Sequence, residues 1–435
     1  MRLEQDTQNK VDQAEGLLRR LDKINKFQNK YNALPAQVAS GIAEKMYNLA
    51  GFIDLIENPS NEDEVVRSEL KRRMVGEANL LEHKLSGRLY DFDSVIELYG
   101  IPREDIKSLP EWLKQNREGA LDSIDRLFHS KDLDQYELPL AMDLPSVKRA
   151  AEEVAKAHID KYHKVVGEFL EDRTNVAGFL RDIQTSPSTN SRSYFSILTG
   201  TLALGIEAIC HSSEDGLIEI KDEKLIRLYG HEAMGHALNY LLSQSKDLPY
   251  FLREDSELVR TTGESIAQHY EGVLLDGLNE DRDTQKRLGI EHKFDEIYKE
   301  VKDTDKLELY KRRFFSYFIS VMGDKSLGNP EDPEVVKTKT KMINELALDS
   351  AMASRLVQGY RREFDSEGNL DSSLVKELIY AAQPVARSIE GFREKGIGYE
   401  GPDRNFVDTT ILTGLWTPMG FVENARIQAE NYKSK

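Results

Sequence analysis

The sequence has little of several features that define common protein classes. It contains a single cysteine, Cys210, among 435 residues, so an internal disulfide is impossible and a metal site has to use histidine, aspartate or glutamate. No stretch has the 18 or so apolar residues that a helix needs to span a bilayer. The first residues, MRLEQDTQNKVDQAEG, lack the apolar region of a secretory signal. These absences favour a reducing compartment, and we expect a soluble protein of the cytoplasm.

Positive charge is also scarce. The chain has 59 Lys and Arg against 76 Asp and Glu, for a formal net charge of -17. Proteins that bind nucleic acid or anionic membranes normally present a basic face, so we expect neither partner here. With only 28 Gly and 13 Pro and a hydrophobic fraction of 39%, the composition is typical of a globular, helix-rich protein.

The order of elements can be read from the spacing of the apolar residues. Over the first 180 residues they recur at steps of three and four, as on one face of an amphipathic helix. This predicts an N-terminal helical region, 1–135, followed by a second domain, 136–435. Between residues 194 and 220 the chain is rich in Ile, Leu, Phe and Tyr with Gly and Ser interruptions, which predicts two or three short strands ending at 217–220.

The motif HEAMGH at 231–236 is one residue longer than the zinc-protease motif H-E-x-x-H. In a regular α-helix, residues five apart diverge by roughly 140°, so His231 and His236 would not converge. They converge if the helix widens into a π-bulge or breaks near Gly235. Two histidines and Glu232 on an otherwise apolar helix are costly to bury unless something binds them, which favours a metal site.

A third ligand is needed, and Glu264 is the main candidate. It lies on a predicted helix at 256–278, within TTGESIAQHYEG. Two His and one Glu with an open fourth position for water form a catalytic zinc arrangement. Alternatives remain at this point. Glu264 and Thr261 can instead form a capping box, the third ligand can be His269 or Glu271, and Glu232 can pair with His236 as ligands without a bulge.

The segments HEAMGHALN and GESIAQHYE resemble the HExxxH metallopeptidases whose characterised members are the microtubule-associated tyrosine carboxypeptidases. The resemblance extends over roughly residues 150 to 400 and is specific at the zinc motif. It implies a mainly α (α+β) fold that is gluzincin-like, with a small antiparallel sheet before the zinc-binding helix. It also implies one zinc ion per chain, held by His231, His236 and Glu264, with Glu232 as the general base.

The same resemblance gives roles to a later segment, GYRREF. Tyr360 lies where the family tends to have an aromatic residue that lines the site, and we expect it to donate to the oxyanion of the transition state, with Tyr380 as the second choice. Arg361 and Arg362 follow it, and either guanidinium can bind a terminal carboxylate through two hydrogen bonds.

These observations together predict a zinc metallopeptidase, specifically a carboxypeptidase that removes residues from peptide or protein C-termini. Glu232 would accept the proton of the attacking water. Two alternatives stay open: an acidic helical scaffold with a degenerate motif, and a metal-dependent hydrolase of non-peptide substrates. The sequence gives no indication of the oligomeric state, and nitrogen and oxygen ligands also accept manganese, cobalt or iron.

Overall fold

The structure is a computed structural model. Apart from a few isolated positions, it describes residues 12–19, 36–53, 61–86, 103–116, 144–171, 177–189, 193–196, 199–213, 217–245, 248–253, 255–322, 383–399 and 401–434. Within these ranges, no helix combines the length and the apolar character that crossing a bilayer requires.

Helices make up most of the described chain, which confirms the mainly helical prediction. A π-helix, Gly230–Ala237, follows the α-helix Asp222–Tyr229 directly and continues into the α-helix Leu238–Ser243. The α-helices used below are α1 Ala36–Ile53, α2 Asn61–Ser86, α3 Arg103–Gln115, α4 Pro145–Glu171, α5 Asp222–Tyr229, α6 Leu238–Ser243, α7 Arg260–Asn279, α8 Arg282–Leu288, α9 Phe294–Met322, α10 Pro384–Glu394, α11 Arg404–Leu412 and α12 Pro418–Ser434.

Five short strands precede the π-helix, and the last of them ends at Ile220, as the sequence predicts. Their number was underestimated, because four of the five lie between residues 194 and 220, where two or three were expected. β1 is paired in parallel with β3, and β2 is antiparallel to β3, so the order is β1-β3-β2. The sheet was expected to be antiparallel and is instead mixed, because β3 lies between β1 and β2 and is parallel to β1. β4 and β5 form a separate antiparallel hairpin. The strands are β1 Gln184–Ser188, β2 Tyr194–Ser196, β3 Thr201–Gly205, β4 Cys210–Ser212 and β5 Ile218–Ile220.

The centre of the molecule is the run from α5 through the π-helix to α6, which packs most extensively against α7. Its inward face is apolar, with Leu225, Tyr229 and Ala233 fully buried. On another side, α4 covers β1 and the β4–β5 hairpin with a stripe of buried residues at helical spacing, which includes Ala155 and Ile159. This packing fixes the π-helix between the sheet and α7.

The described N-terminal helices belong to the same hydrophobic core. α1 packs on α2, and α2 contacts α12 and the 3-10 turn Glu257–Val259 that leads into α7. Met46 and Met74 are fully buried in one cluster with Phe421 of α12. The boundary predicted at residue 135 lies outside the described residues.

Candidate metal centre

The stretched motif forms a π-helix, Gly230–Ala237, with α-helix on both sides. In a π-helix, residues five apart lie one turn apart on the same face. His231 and His236 therefore point the same way, with ring centroids 4.9 Å apart and the planes at 80°. This confirms the predicted π-bulge, on which the convergence of the two histidines depends.

Glu264 of α7 lies opposite the two histidines. Its Oε2 is 3.4 Å from His231 Nε2, and its Oε1 is 3.8 Å from His236 Nε2. One ligand atom from each residue can be chosen so that all lie within 4.8 Å of one another. Ligand atoms at 2.0–2.2 Å from a tetrahedral zinc ion would be roughly 3.3–3.6 Å apart. The three predicted ligands are grouped on one side of the π-helix, with each histidine nearest to a different oxygen of Glu264.

Two glycines allow α7 to approach the π-helix this closely. A Cβ on Gly235 would lie 2.3 Å from the Cα of Ala267, and one on Gly230 would lie 2.9 Å from the Cα of Glu271. Both atoms belong to the α7 backbone, which cannot swing away as a side chain can. Gly235 is therefore required for helix packing, in addition to any role in widening the helix.

His231 is oriented by a chain of polar contacts on its other side. Its Nδ1 donates to Glu271 Oε1 over 2.7 Å, and Glu271 Oε2 accepts from Arg227 Nε over 3.1 Å. Arg227 also pairs with Asp305 of α9, at 3.2 Å. The bond from Nδ1 leaves Nε2 as the nitrogen that faces Glu264. Glu271, a rival ligand on sequence grounds, is instead the hydrogen-bond partner of His231.

The charges of this cluster shift the pKa values of its members in opposite directions. Burial lowers the pKa of both histidines, but in His231 the hydrogen bonds and charges of Glu264 and Glu271 outweigh burial and raise it to about 10. In His236 burial dominates, the charge of His231 adds to it, and the pKa falls to about 4. Burial would raise the pKa of Glu271, but His231 and Arg227 hold it below its usual value. The carboxylates therefore favour the protonated form of His231, whereas burial and the charge of His231 favour the neutral form of His236.

Glu232 lies beside the triad and is only 7% exposed. The backbone N–H of Phe195 in β2 donates to its carboxylate. Burial, the largest cause, together with the negative charges of Glu264 and Glu271, raises its pKa to about 7 against the opposing effect of His231. The carboxyl group predicted as the general base is therefore fixed at the site by the neighbouring strand.

The triad opens into a cleft of about 300 Å³. The π-helix supplies its floor, and its walls come from β2, α6, the start of α7 and the segment before α12. The lining residues are Ser193, Tyr194, Phe195, His231, Glu232, His236, Asn239, Tyr240, Asp255, Val259, Arg260, Gly263, Glu264 and Leu415.

The alternative roles considered for α7 do not fit its geometry. The helix begins at Arg260 after a 3-10 turn, and its N-cap position, Val259, makes no side-chain cap. Thr261 Oγ1 is buried without a hydrogen-bond partner among the described residues, so the capping box with Glu264 is wrong. His269 packs edge-to-face on Tyr270 and Tyr399, with centroids 5.1 and 5.2 Å away, and it is not one of the grouped ligands.

The residues predicted to complete the site from the C-terminal part of the chain lie outside the described residues. These are Tyr360, Arg361, Arg362 and Tyr380.

Sequence reasoning missed several cleft residues in the described part, among them Tyr194, Tyr240 and Arg260. A local signal existed only for Arg260, which precedes Glu264 by one helical turn and therefore shares its face of α7.

Comparison with protein-family models, curated proteins and solved structures gives no match to this chain. The residues and geometry of the cleft are therefore what indicate its function.

Proposed function

We propose that this protein is a zinc-dependent peptidase that acts on the C-termini of peptides or proteins. The observation that carries the proposal is the convergence of His231, His236 and Glu264 at the floor of a cleft, with Glu232 beside them. The π-helix is part of this argument, because such helices are rare and frequently occur at functional sites. The resemblance of the motif to the HExxxH metallopeptidases points to the same activity.

The donor set fits a zinc ion. Two imidazoles and one carboxylate are typical ligands of a catalytic zinc site that keeps one position open. One donor atom from each of the three residues lies within 4.8 Å of the others, so small side-chain adjustments would let them bind one ion. Zinc bound there would polarise a substrate carbonyl and lower the pKa of the attacking water.

The charges around the site are compatible with a bound cation. Glu232, Glu264 and Glu271 place three carboxyl groups around this floor, and Arg227 pairs with Glu271 at 3.1 Å. A cation bound beside His236 would lie next to the carboxylate of Glu264.

The chain's own residues supply the proton transfers. Glu232 follows the first ligand directly, and the Phe195 N–H holds its carboxylate at the cleft. From that position it accepts a proton from the attacking water and returns it to the leaving amine. The hydrogen bond from Nδ1 to Glu271 orients His231 so that Nε2 faces Glu264 and can bind a metal once it loses its proton.

A peptide substrate is favoured over other substrates by the cleft wall. β2 is an edge strand that pairs with β3 alone among the described residues, and Tyr194 and Phe195 of β2 line the cleft. An extended peptide can bind along such an edge through main-chain hydrogen bonds. In an inert scaffold, this cluster of largely buried polar and charged side chains would have no role. Burying such groups costs free energy, which makes the scaffold alternative less favourable.

The proposal is tested by measuring bound metal and hydrolysis on the same preparations. The purified wild-type protein, His236→Ala and Glu232→Gln are reconstituted with zinc, and metal content is measured by elemental mass spectrometry. We expect about one zinc per chain in the wild type and in Glu232→Gln, and a large loss in His236→Ala because one of three protein ligands is gone. Substitution of the exposed His292 by alanine is the matched control and keeps the metal.

Hydrolysis is then followed with peptides that have free or amidated C-termini. The wild type cleaves the free-acid peptide in preference to the amidated one, and Glu232→Gln loses at least about 100-fold in kcat on the free acid, because an amide cannot accept the proton. A wild-type protein that holds no zinc after reconstitution, or a Glu232→Gln variant with full turnover, contradicts the proposal.

A further inference from the structure

Arg260 has a special position in the cleft. It is the first residue of α7, is exposed, and contributes to the lining. Among the lining residues in the described part of the chain, it alone carries a permanent positive charge. The other charged groups there, apart from the two histidines, are the carboxyl groups of Asp255, Glu232 and Glu264.

The spacing of Arg260 from the metal ligand matches the length of a short peptide segment. Arg260 and Glu264 are four residues apart in a continuous helix, so they share one face and lie about 6 Å apart along its axis. An extended peptide covers about 3.5 Å per residue. Glu264 marks the position of the metal and of the cleaved bond. A substrate group one or two residues beyond that bond therefore comes within reach of the Arg260 guanidinium.

The charges of the cleft lining support the same placement of the Arg260 guanidinium. In an otherwise acidic cleft, it is the position at which a negative group of a substrate is favoured, and a carboxylate can accept two parallel hydrogen bonds from it.

We infer that Arg260 binds the free C-terminal carboxylate of the substrate, one or two residues beyond the cleaved bond. This inference rests on the proposed function and gives it a specificity-determining residue. It makes the protein a carboxypeptidase, because the main chain of an internal peptide segment has no carboxylate at that position. The sequence assigned this role to Arg361 or Arg362, which lie outside the described residues, and Arg260 is the candidate within them.

Binding is measured first, in the inactive Glu232→Gln background, by calorimetry with one peptide in free-acid and amidated forms. We expect the free acid to bind roughly 10- to 100-fold more tightly, as is typical of a hydrogen-bonded charge pair. Adding Arg260→Gln removes this difference in affinity, because it weakens binding of the free-acid peptide alone. Arg260→Lys restores part of the difference, since lysine keeps the positive charge but cannot make two parallel hydrogen bonds as the guanidinium does. Arg393→Gln, on an exposed position of α10, is the matched control and preserves the difference.

Turnover of the otherwise wild-type Arg260→Gln variant gives a second readout. For the free-acid peptide, KM rises by a similar factor of roughly 10 to 100, while zinc content stays at about one per chain. Equal affinity for the two peptides in a protein that binds zinc and cleaves overturns the inference and leaves the zinc-dependent peptidase activity of the proposed function intact. A discrimination that persists in Arg260→Gln also overturns the inference. A protein that binds neither zinc nor either peptide overturns both.

Discussion

At the scale of single residues, the site depends on how His231 is held. Its Nδ1 donates to Glu271, which is itself fixed by Arg227. Removing such a partner from a metal-ligating histidine typically weakens metal binding by about 10- to 100-fold, because the ring loses its orientation and its tautomer. We therefore expect Glu271→Ala to lower zinc affinity by a factor in this range, measured by competition with a chelator of known affinity.

The matched control is Glu280→Ala, at an exposed position just after the same helix, where zinc affinity stays at the wild-type value. Glu271→Gln should recover part of the loss, since its amide oxygen still accepts from Nδ1. If Glu271→Ala binds zinc as tightly as the wild type, the contact with His231 has no role in orienting the ligand.

At the scale of elements, the site exists because the π-helix and α7 lie in backbone contact. A methyl group at Gly235 would lie 2.3 Å from the Cα of Ala267. One of the two helices must then move, and Glu264, three residues before Ala267, moves with α7. We expect Gly235→Ala to lower the free energy of unfolding by about 1–3 kcal/mol, as overpacking does, and to weaken zinc binding. Urea unfolding and zinc content measure the two effects.

Gly272→Ala in α7 is the control, because a Cβ there meets nothing within 4 Å. Alanine has the higher helix propensity, so this variant should gain up to about 1 kcal/mol and keep its zinc. Equal effects of the two substitutions would show that close packing at Gly235 does not position the site.

The elements that sequence reasoning predicted are those with local signals. His231, His236 and the need for a π-bulge follow from spacing within one motif, and Glu264 from its place on the next helix. The role of Glu271 did not follow, because its bond to His231 depends on how closely two helices pack. The capping box failed for a related reason: a 3-10 turn starts the helix before Thr261.

At the scale of the whole molecule, one wall of the cleft is held by a helix from the first hundred residues. Glu69 of α2 is fully buried and accepts from the backbone N–H and the hydroxyl of Thr417, over 2.7 and 2.6 Å. Arg73, one turn later, donates to the carbonyl of Leu415, which lines the cleft, and to Ser256 Oγ over 3.3 Å. A contact between residues 342 positions apart leaves no local pattern in the sequence.

This arrangement predicts that two neighbouring arginines of α2 differ strongly in their contribution to stability. Arg73 is buried and pairs with the buried Glu69 at 3.4 Å, so Arg73→Gln removes the nearer of the two arginines that contact this carboxylate and should cost about 3 kcal/mol in the free energy of unfolding. Arg72 is partly exposed, lies 3.7 Å from Glu69 and pairs more closely with Glu423 at 2.7 Å, so Arg72→Gln should cost at most about 1 kcal/mol. Urea unfolding of both variants measures the difference. If both variants lose a similar, small amount of unfolding free energy, α2 does not hold the cleft wall. A large loss for Arg73→Gln alone, together with a raised KM under conditions in which the variant is folded, identifies the N-terminal helices as a structural part of the site.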